Sequence, residues 1–223
     1  MRLLQFSTSH YCRKARLALG YKSIPYQTQN LSPGLHRLTV QPLTGLATLP
    51  VLLPQSAGQP QAIGDSSAIL RYLESYQPNP SYIPTSPELA RQVWLWEDWL
   101  DESVGPAVRF AYYDFRAGEG RNLDPSWSSQ AVIQIVRWQY GMNSAAVQQA
   151  QESLALALEI LSPWRERPYL VGDAFSIADL SAAALLSPLA RIPRYRQEAP
   201  WLFERMIEIH RLCGEPAPPG LES

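Results

Sequence analysis

Cysteine and histidine are scarce in this chain, which has two cysteines (Cys12, Cys213) and three histidines (His10, His36, His210) in 223 residues. Two cysteines do not make a disulfide framework, and histidines this scattered do not make a metal site. No apolar run approaches the roughly eighteen residues of a membrane span, and the start lacks the pattern of a secretory signal. There is no glycine-rich phosphate loop. Nor is there an excess of positive charge: 19 basic residues face 20 acidic ones, a formal net charge of −1, so no nucleic-acid partner is expected. These absences leave a soluble, cytoplasmic protein without membrane contact or metal as the expectation.

What is present is a globular composition, 46% hydrophobic and 17% charged, divided unevenly along the chain. Up to Pro78 seven basic residues stand against two acidic ones, whereas from Asn79 onward twelve stand against eighteen. All seven tryptophans lie between Trp94 and Trp201. Two domains with different tasks are expected, residues 1–78 and 87–213. A proline-dense linker, 79–86, would join them, and a frayed tail, 214–223, would follow.

In the first part, Arg2 to Phe6 reads as a buried strand, and Ser7-Thr8-Ser9 supplies capping chemistry for a helix that Gly20 ends. Strands are expected over 24–29, 49–53 and 61–63, with a short helix through His36 to Val40 and another opened by Asp65-Ser66. Beyond the linker the pattern is helical. Leu89, Val93, Trp96, Leu100, Val104 and Val108 form one stripe with a kink at Gly105-Pro106. Further helices are expected over 131–140, 147–161, 176–189 and 201–213.

Three places could carry chemistry. At the start of the first helix, unpaired N–H groups and the Ser9 hydroxyl favour an anion such as a thiolate, although alone Ser9 reads equally as a plain cap. Leu49-Pro50 heads a strand, and a cis bond there would turn the Leu49 backbone toward the first helix for an extended peptide to pair with. Asp65-Ser66 opens another helix, where a hydroxyl with N–H groups suits a carboxylate and the aspartate an ammonium; a capped helix is the plain alternative. In Ser176-Ile177-Ala178-Asp179, Ser176 and Asp179 have the spacing of a capping box, a folding device.

In this order the motifs resemble those of the cytosolic glutathione transferases. The stretch from Ser9-His10-Tyr11-Cys12 through Leu19 is similar to the Ser-type first-helix motif, and Leu49-Pro50-Val51-Leu52 to the cis-proline segment. Asp65 through Leu73 is similar to the acidic-Ser motif, and Gly172 through Asp179 to the capping box of the helical domain. The resemblance implies an α/β thioredoxin-like N-terminal domain followed by an all-α domain, and a homodimer in which each subunit's first domain meets its partner's second. It implies that Ser9 activates the thiol of glutathione, a cosubstrate, for attack on small apolar electrophiles. Leu49 and a cis Pro50 would bind the cysteinyl backbone, and Asp65 and Ser66 the γ-glutamyl end. Alternatives on the same fold are a glutathione-dependent isomerase or peroxidase, or a non-catalytic binding module.

The chain departs from the family pattern in places. His10 stands where a proline usually follows the serine, and Asp65 where glutamate is commoner. The residue that often holds the glycyl carboxylate is missing from Thr44 to Thr48, which leaves His36 or Arg37 for that task. Tyr11 is either a rival thiol activator or a packing residue. An electrophile pocket is expected between the domains from Tyr11, Arg109, Tyr112 and Tyr113, with Phe115, Arg116, Trp127 and Trp138 nearby. Cys12 and Cys213 read as core positions, and Arg191, Arg194 and Arg196 as a solvated turn.

Overall fold

A computed structural model describes residues 1–54, 58 and 60–221. Its first part is a four-stranded mixed sheet built from β1 (Arg2–Gln5), β2 (Gln27–Asn30), β3 (Val51–Leu53) and β4 (Ile63–Gly64), in the order β2-β1-β3-β4. β1 runs parallel to β2 and antiparallel to β3, and β3 is antiparallel to β4. The helices interleaved with these strands are α1 (His10–Tyr21), α2 (His36–Thr44) and α3 (Ser66–Tyr76). The strands are shorter than their apolar runs suggest. β2 starts at Gln27 rather than Ile24 and is exposed throughout, as suits an edge.

The remainder is helical. α4 (Pro87–Trp99) runs through a π-helical turn, Leu100–Val104, into α5 (Gly105–Ala117). Pro106 has no N–H to continue the regular ladder, and the Gly105 N–H reaches back five residues to the Leu100 carbonyl. The irregularity therefore lies in the turn before the expected kink. Next come α6 (Trp127–Gln139), α7 (Ser144–Leu161) and α8 (Ile177–Leu185). The expected helix over 176–189 stops at Leu185, and α9 (Pro193–Glu198) and α10 (Pro200–Leu212) finish the set.

α8, sequence IADLSAAAL, is buried on every side. Its alanines let α1 lie against it, so one core runs from Leu3, Ala15 and Leu52 in the sheet part to Leu154 and Leu202 in the helical part. The capping box starts this helix: the Asp179 carboxylate accepts from the Ser176 N–H at 2.9 Å and from the Leu170 N–H at 2.7 Å. Burial raises that carboxyl to about 6 although these bonds pull the other way. Gly20 does not end α1. A methyl group there would come within 2.0 Å of the Cys213 carbonyl oxygen, so its smallness lets the end of α10 pass beside α1.

Two further expectations fail for reasons of packing. The tail is tied down, since Glu215 pairs with Arg16 at 3.0 Å and accepts from the Tyr26 hydroxyl at 2.9 Å. Tyr195 is buried, and Arg191 reaches the Tyr112 hydroxyl at 3.3 Å, so those arginines do not form a merely solvated turn.

One tie between the two parts is ionic. Lys14 of α1 is 0% exposed and its ammonium contacts the carboxylates of Glu97 and Asp101. The same ammonium lies 3.1 Å from the Ser67 hydroxyl, and that hydroxyl donates to Glu97 at 2.6 Å. Removing one partner from a buried ionic cluster leaves uncompensated charge and costs about 3–5 kcal/mol. Lys14→Met is therefore expected to lower the unfolding free energy by about that much. Urea denaturation checks this, and a loss below about 1 kcal/mol would mean that the cluster does not join the two parts.

Candidate functional site

The sheet register brings the three expected motifs to one end. Leu4 pairs with Val51, and Val51 with Gly64. The loop from β1 to Ser9, the Leu49-Pro50 pair before β3 and the Asp65-Ser66 pair after β4 all leave the sheet at that level. The Leu49-Pro50 bond is cis, and Pro50 is buried.

Ser9 is the N-cap of α1, with extended backbone (φ −72°, ψ 128°). Its hydroxyl oxygen accepts from the Cys12 N–H at 3.3 Å. The same hydroxyl bears on the Cys12 thiol and favours its charged form, and the first-turn N–H groups of a helix have no intrahelical partner. No acidic residue occupies the first turn of α1 to offset its dipole.

Asp65 caps α3, its carboxylate accepting from the Ala68 N–H at 2.9 Å. It does so from a left-handed backbone, φ 75°, which a short polar side chain tolerates better than most. Ser66 is buried, and its hydroxyl donates to Asp101 at 3.4 Å, so the Lys14 cluster holds the start of α3 as well as α1. His36 opens α2. Its Nε2 lies 3.0 Å from the Ala47 carbonyl and its ring meets Phe6 edge-on at 4.9 Å, while its Nδ1 is buried without a hydrogen-bond partner among the described residues. Arg37 is exposed.

Tyr11 is placed as a packing residue. Its hydroxyl donates to the Asp101 backbone carbonyl at 2.9 Å and fits against Gly105, where a methyl group would meet it at 2.7 Å. Burial pushes its phenol well above the ordinary tyrosine range, although Arg109 pulls the other way. The Arg109 guanidinium lies over the Tyr11 ring at 5.2 Å and the Tyr140 ring at 4.5 Å. Tyr112 and Tyr113 meet edge-on at 5.5 Å, and Arg116 donates to the Tyr112 hydroxyl at 3.3 Å. Trp127 and Trp138, expected near the pocket, are 85% and 84% exposed on α6 and line no wall.

The family models for the glutathione S-transferase N-terminal domain and C-terminal domain match residues 3–81 and 128–202. The chain belongs to the glutathione S-transferase superfamily. Among solved members, a glutathione S-transferase from Xanthobacter autotrophicus Py2 superposes with a TM-score of 0.74 at 20% identity, covering 99% of this chain and 97% of that one. Another, from Methylobacterium radiotolerans in complex with glutathione sulfonate, gives 0.71 at 24% identity over 94% and 89%. A stringent starvation protein A homolog from Pasteurella multocida is 22% identical over 186 residues, 83% of this chain and 73% of that protein.

Sequence reasoning missed four features of this member of the superfamily. Glu97 and Asp101 are buried on the inner face of α4 and its π turn, and Arg13 is buried against the Ser187 hydroxyl. His10 is buried, and its Nε2 has no hydrogen-bond partner among the described residues. The signal for the first pair was present in the sequence, because Val93, Glu97, Leu100, Asp101 and Val104 share one helical stripe.

Burial, followed by the Arg109 and Arg13 charges, lowers the His10 pKa to about 3. A depressed histidine gives stability that is present above its unfolded value near 6.5 and lost as pH falls toward the folded value. Between pH 6.5 and 4, unfolding free energy is expected to fall more steeply in the native protein than in a His10→Phe variant; parallel profiles in pH-dependent urea melts would contradict this. Burial also raises the Cys12 thiol and pushes Cys213 up to about 12. Both thiols should resist a disulfide reagent in the native state and react on unfolding, and rapid native labelling of either would contradict their assignment to the core.

Proposed function

We propose that the protein is a glutathione transferase in which Ser9 and the start of α1 hold the glutathione sulfur as a thiolate. The observation that carries this reading is the Ser9 hydroxyl, seated at the start of α1 as its N-cap with its oxygen accepting from the Cys12 N–H at 3.3 Å. A free thiol near pKa 8.5 must be lowered by about two units to be largely ionised at neutral pH, which requires about 2.7 kcal/mol. A helix terminus contributes about 0.3–2 kcal/mol and a hydrogen bond to a charged group about 1.5–3 kcal/mol. The two together reach the requirement without a general base.

Glutathione would lie along the end of the sheet. The Leu49 backbone beside the cis Pro50 would pair with its cysteinyl unit, and the Asp65-Ser66 start of α3 with its γ-glutamyl end. His36 would face its glycyl carboxylate. The thiolate then attacks the electrophile between α1 and α5, the new carbon–sulfur bond forming as the leaving group departs with its electron pair. Glutathione is consumed as a cosubstrate, and a cytoplasmic homodimer acting on small electrophiles in detoxification is the form this reading expects.

A second reading is a binding module without turnover, since a relative of this chain, the starvation protein homolog, bears a name that is not a transferase's. Incubation with glutathione and a panel of aryl and benzyl halides, peroxides and cis-enoyl acids, followed by mass analysis, separates the readings. Thioether products identify the transferase, disulfide or trans products the peroxidase or isomerase, and glutathione binding without product the module. In the transferase case Ser9→Ala should lower kcat/KM about 10–100-fold, while Ser9→Thr keeps most of it. A Ser9→Ala enzyme of full activity would contradict the mechanism.

A further inference from the structure

We propose that Arg109 selects electrophiles that carry a carboxylate on an aromatic ring, holding that group at the seam between α1 and α5. The inference rests on the transferase reading and goes on to name the substrate class.

Lys14, Lys22 and Arg16 each have a carboxylate partner, and Arg137 is paired with Asp114 at 3.0 Å. The Arg109 guanidinium, among the described residues, has no carboxylate in hydrogen-bond or ion-pair contact. It is held by the faces of Tyr11 and Tyr140. A guanidinium held over rings keeps its N–H donors in its own plane, in the fork that fits a carboxylate. The side chain is only half-buried, so a ligand can reach it.

A second observation points to the same place. His10 follows Ser9 directly, is 7% exposed, and leaves its Nε2 buried and without a hydrogen-bond partner among the described residues. The Gly105 backbone at the start of α5 lies beside its ring, and the charges of Arg109 and Arg13 bear on it. Arg13 itself meets the hydroxyl of Ser187. Arg109 and Arg13 thus lie beside the start of α1 with no carboxylate in hydrogen-bond or ion-pair contact among the described residues, Glu215 bearing on Arg13 only from a distance. A carboxylate on Arg109 would relieve that field, and the faces of Tyr113 and Tyr140 suit the ring that bears it. On the transferase reading glutathione's own carboxylates would go to α3 and α2, whereas Arg109 is on α5.

The test compares 4-(chloromethyl)benzoate with its methyl ester. In both, the glutathione sulfur forms a bond to the benzylic carbon and chloride leaves with the bonding pair. The native enzyme is expected to favour the carboxylate in kcat/KM by about tenfold or more. That ratio should collapse in Arg109→Gln and persist in Arg109→Lys, with KM for glutathione unmoved in the native comparison of the two substrates. A native enzyme that uses the two equally well, or favours the ester, overturns the inference and leaves the transferase reading standing. Turnover of neither overturns both.

Discussion

The buried contact of Lys14 with Glu97 and Asp101 is the constraint on which the arrangement of this protein depends. It reaches from the first helix to a helix more than eighty residues later, and through Ser66 and Ser67 it fixes the start of α3 as well. Two helix N-termini and the helical remainder are thereby set against one another by a single ammonium. Such a cluster contributes little net stability over an apolar replacement, but it tolerates no change of register, because any misplacement strands a charge.

The same cluster reinterprets the charge division along the chain. An excess of five positive charges in the first part and six negative in the second suggests a cationic surface that attracts an anionic tripeptide. Two of those five charges are spent inside the molecule: Lys14 meets Glu97 and Asp101, and Arg16 meets Glu215. The opposed charges of the two parts thus meet within one chain. What is left near the site is local, namely Arg13 and Arg109 around His10.

The site motifs were legible in the sequence because capping is short-range chemistry. Ser9, Asp65 and Ser176 each act on N–H groups two or three residues away. The alternation of strand and helix in the first part was legible for the same reason. Gly20, by contrast, looks like a helix end by local rules, and only the distant Cys213 carbonyl explains it. Lys14 carries no local mark of burial, and the proline-rich tail gives no sign that Glu215 returns to Arg16 and Tyr26. Trp127 and Trp138 were expected near a pocket from their type, yet type does not say which face of α6 meets solvent.

The central claim is that the start of α1 holds a thiolate, and titrating bound glutathione by its ultraviolet thiolate absorbance tests it most directly. The account predicts a midpoint for the complex about two units below that of the free thiol, near 8.5, and a midpoint closer to the free value in Ser9→Ala. A complex whose glutathione ionises with the midpoint of glutathione in water would contradict it.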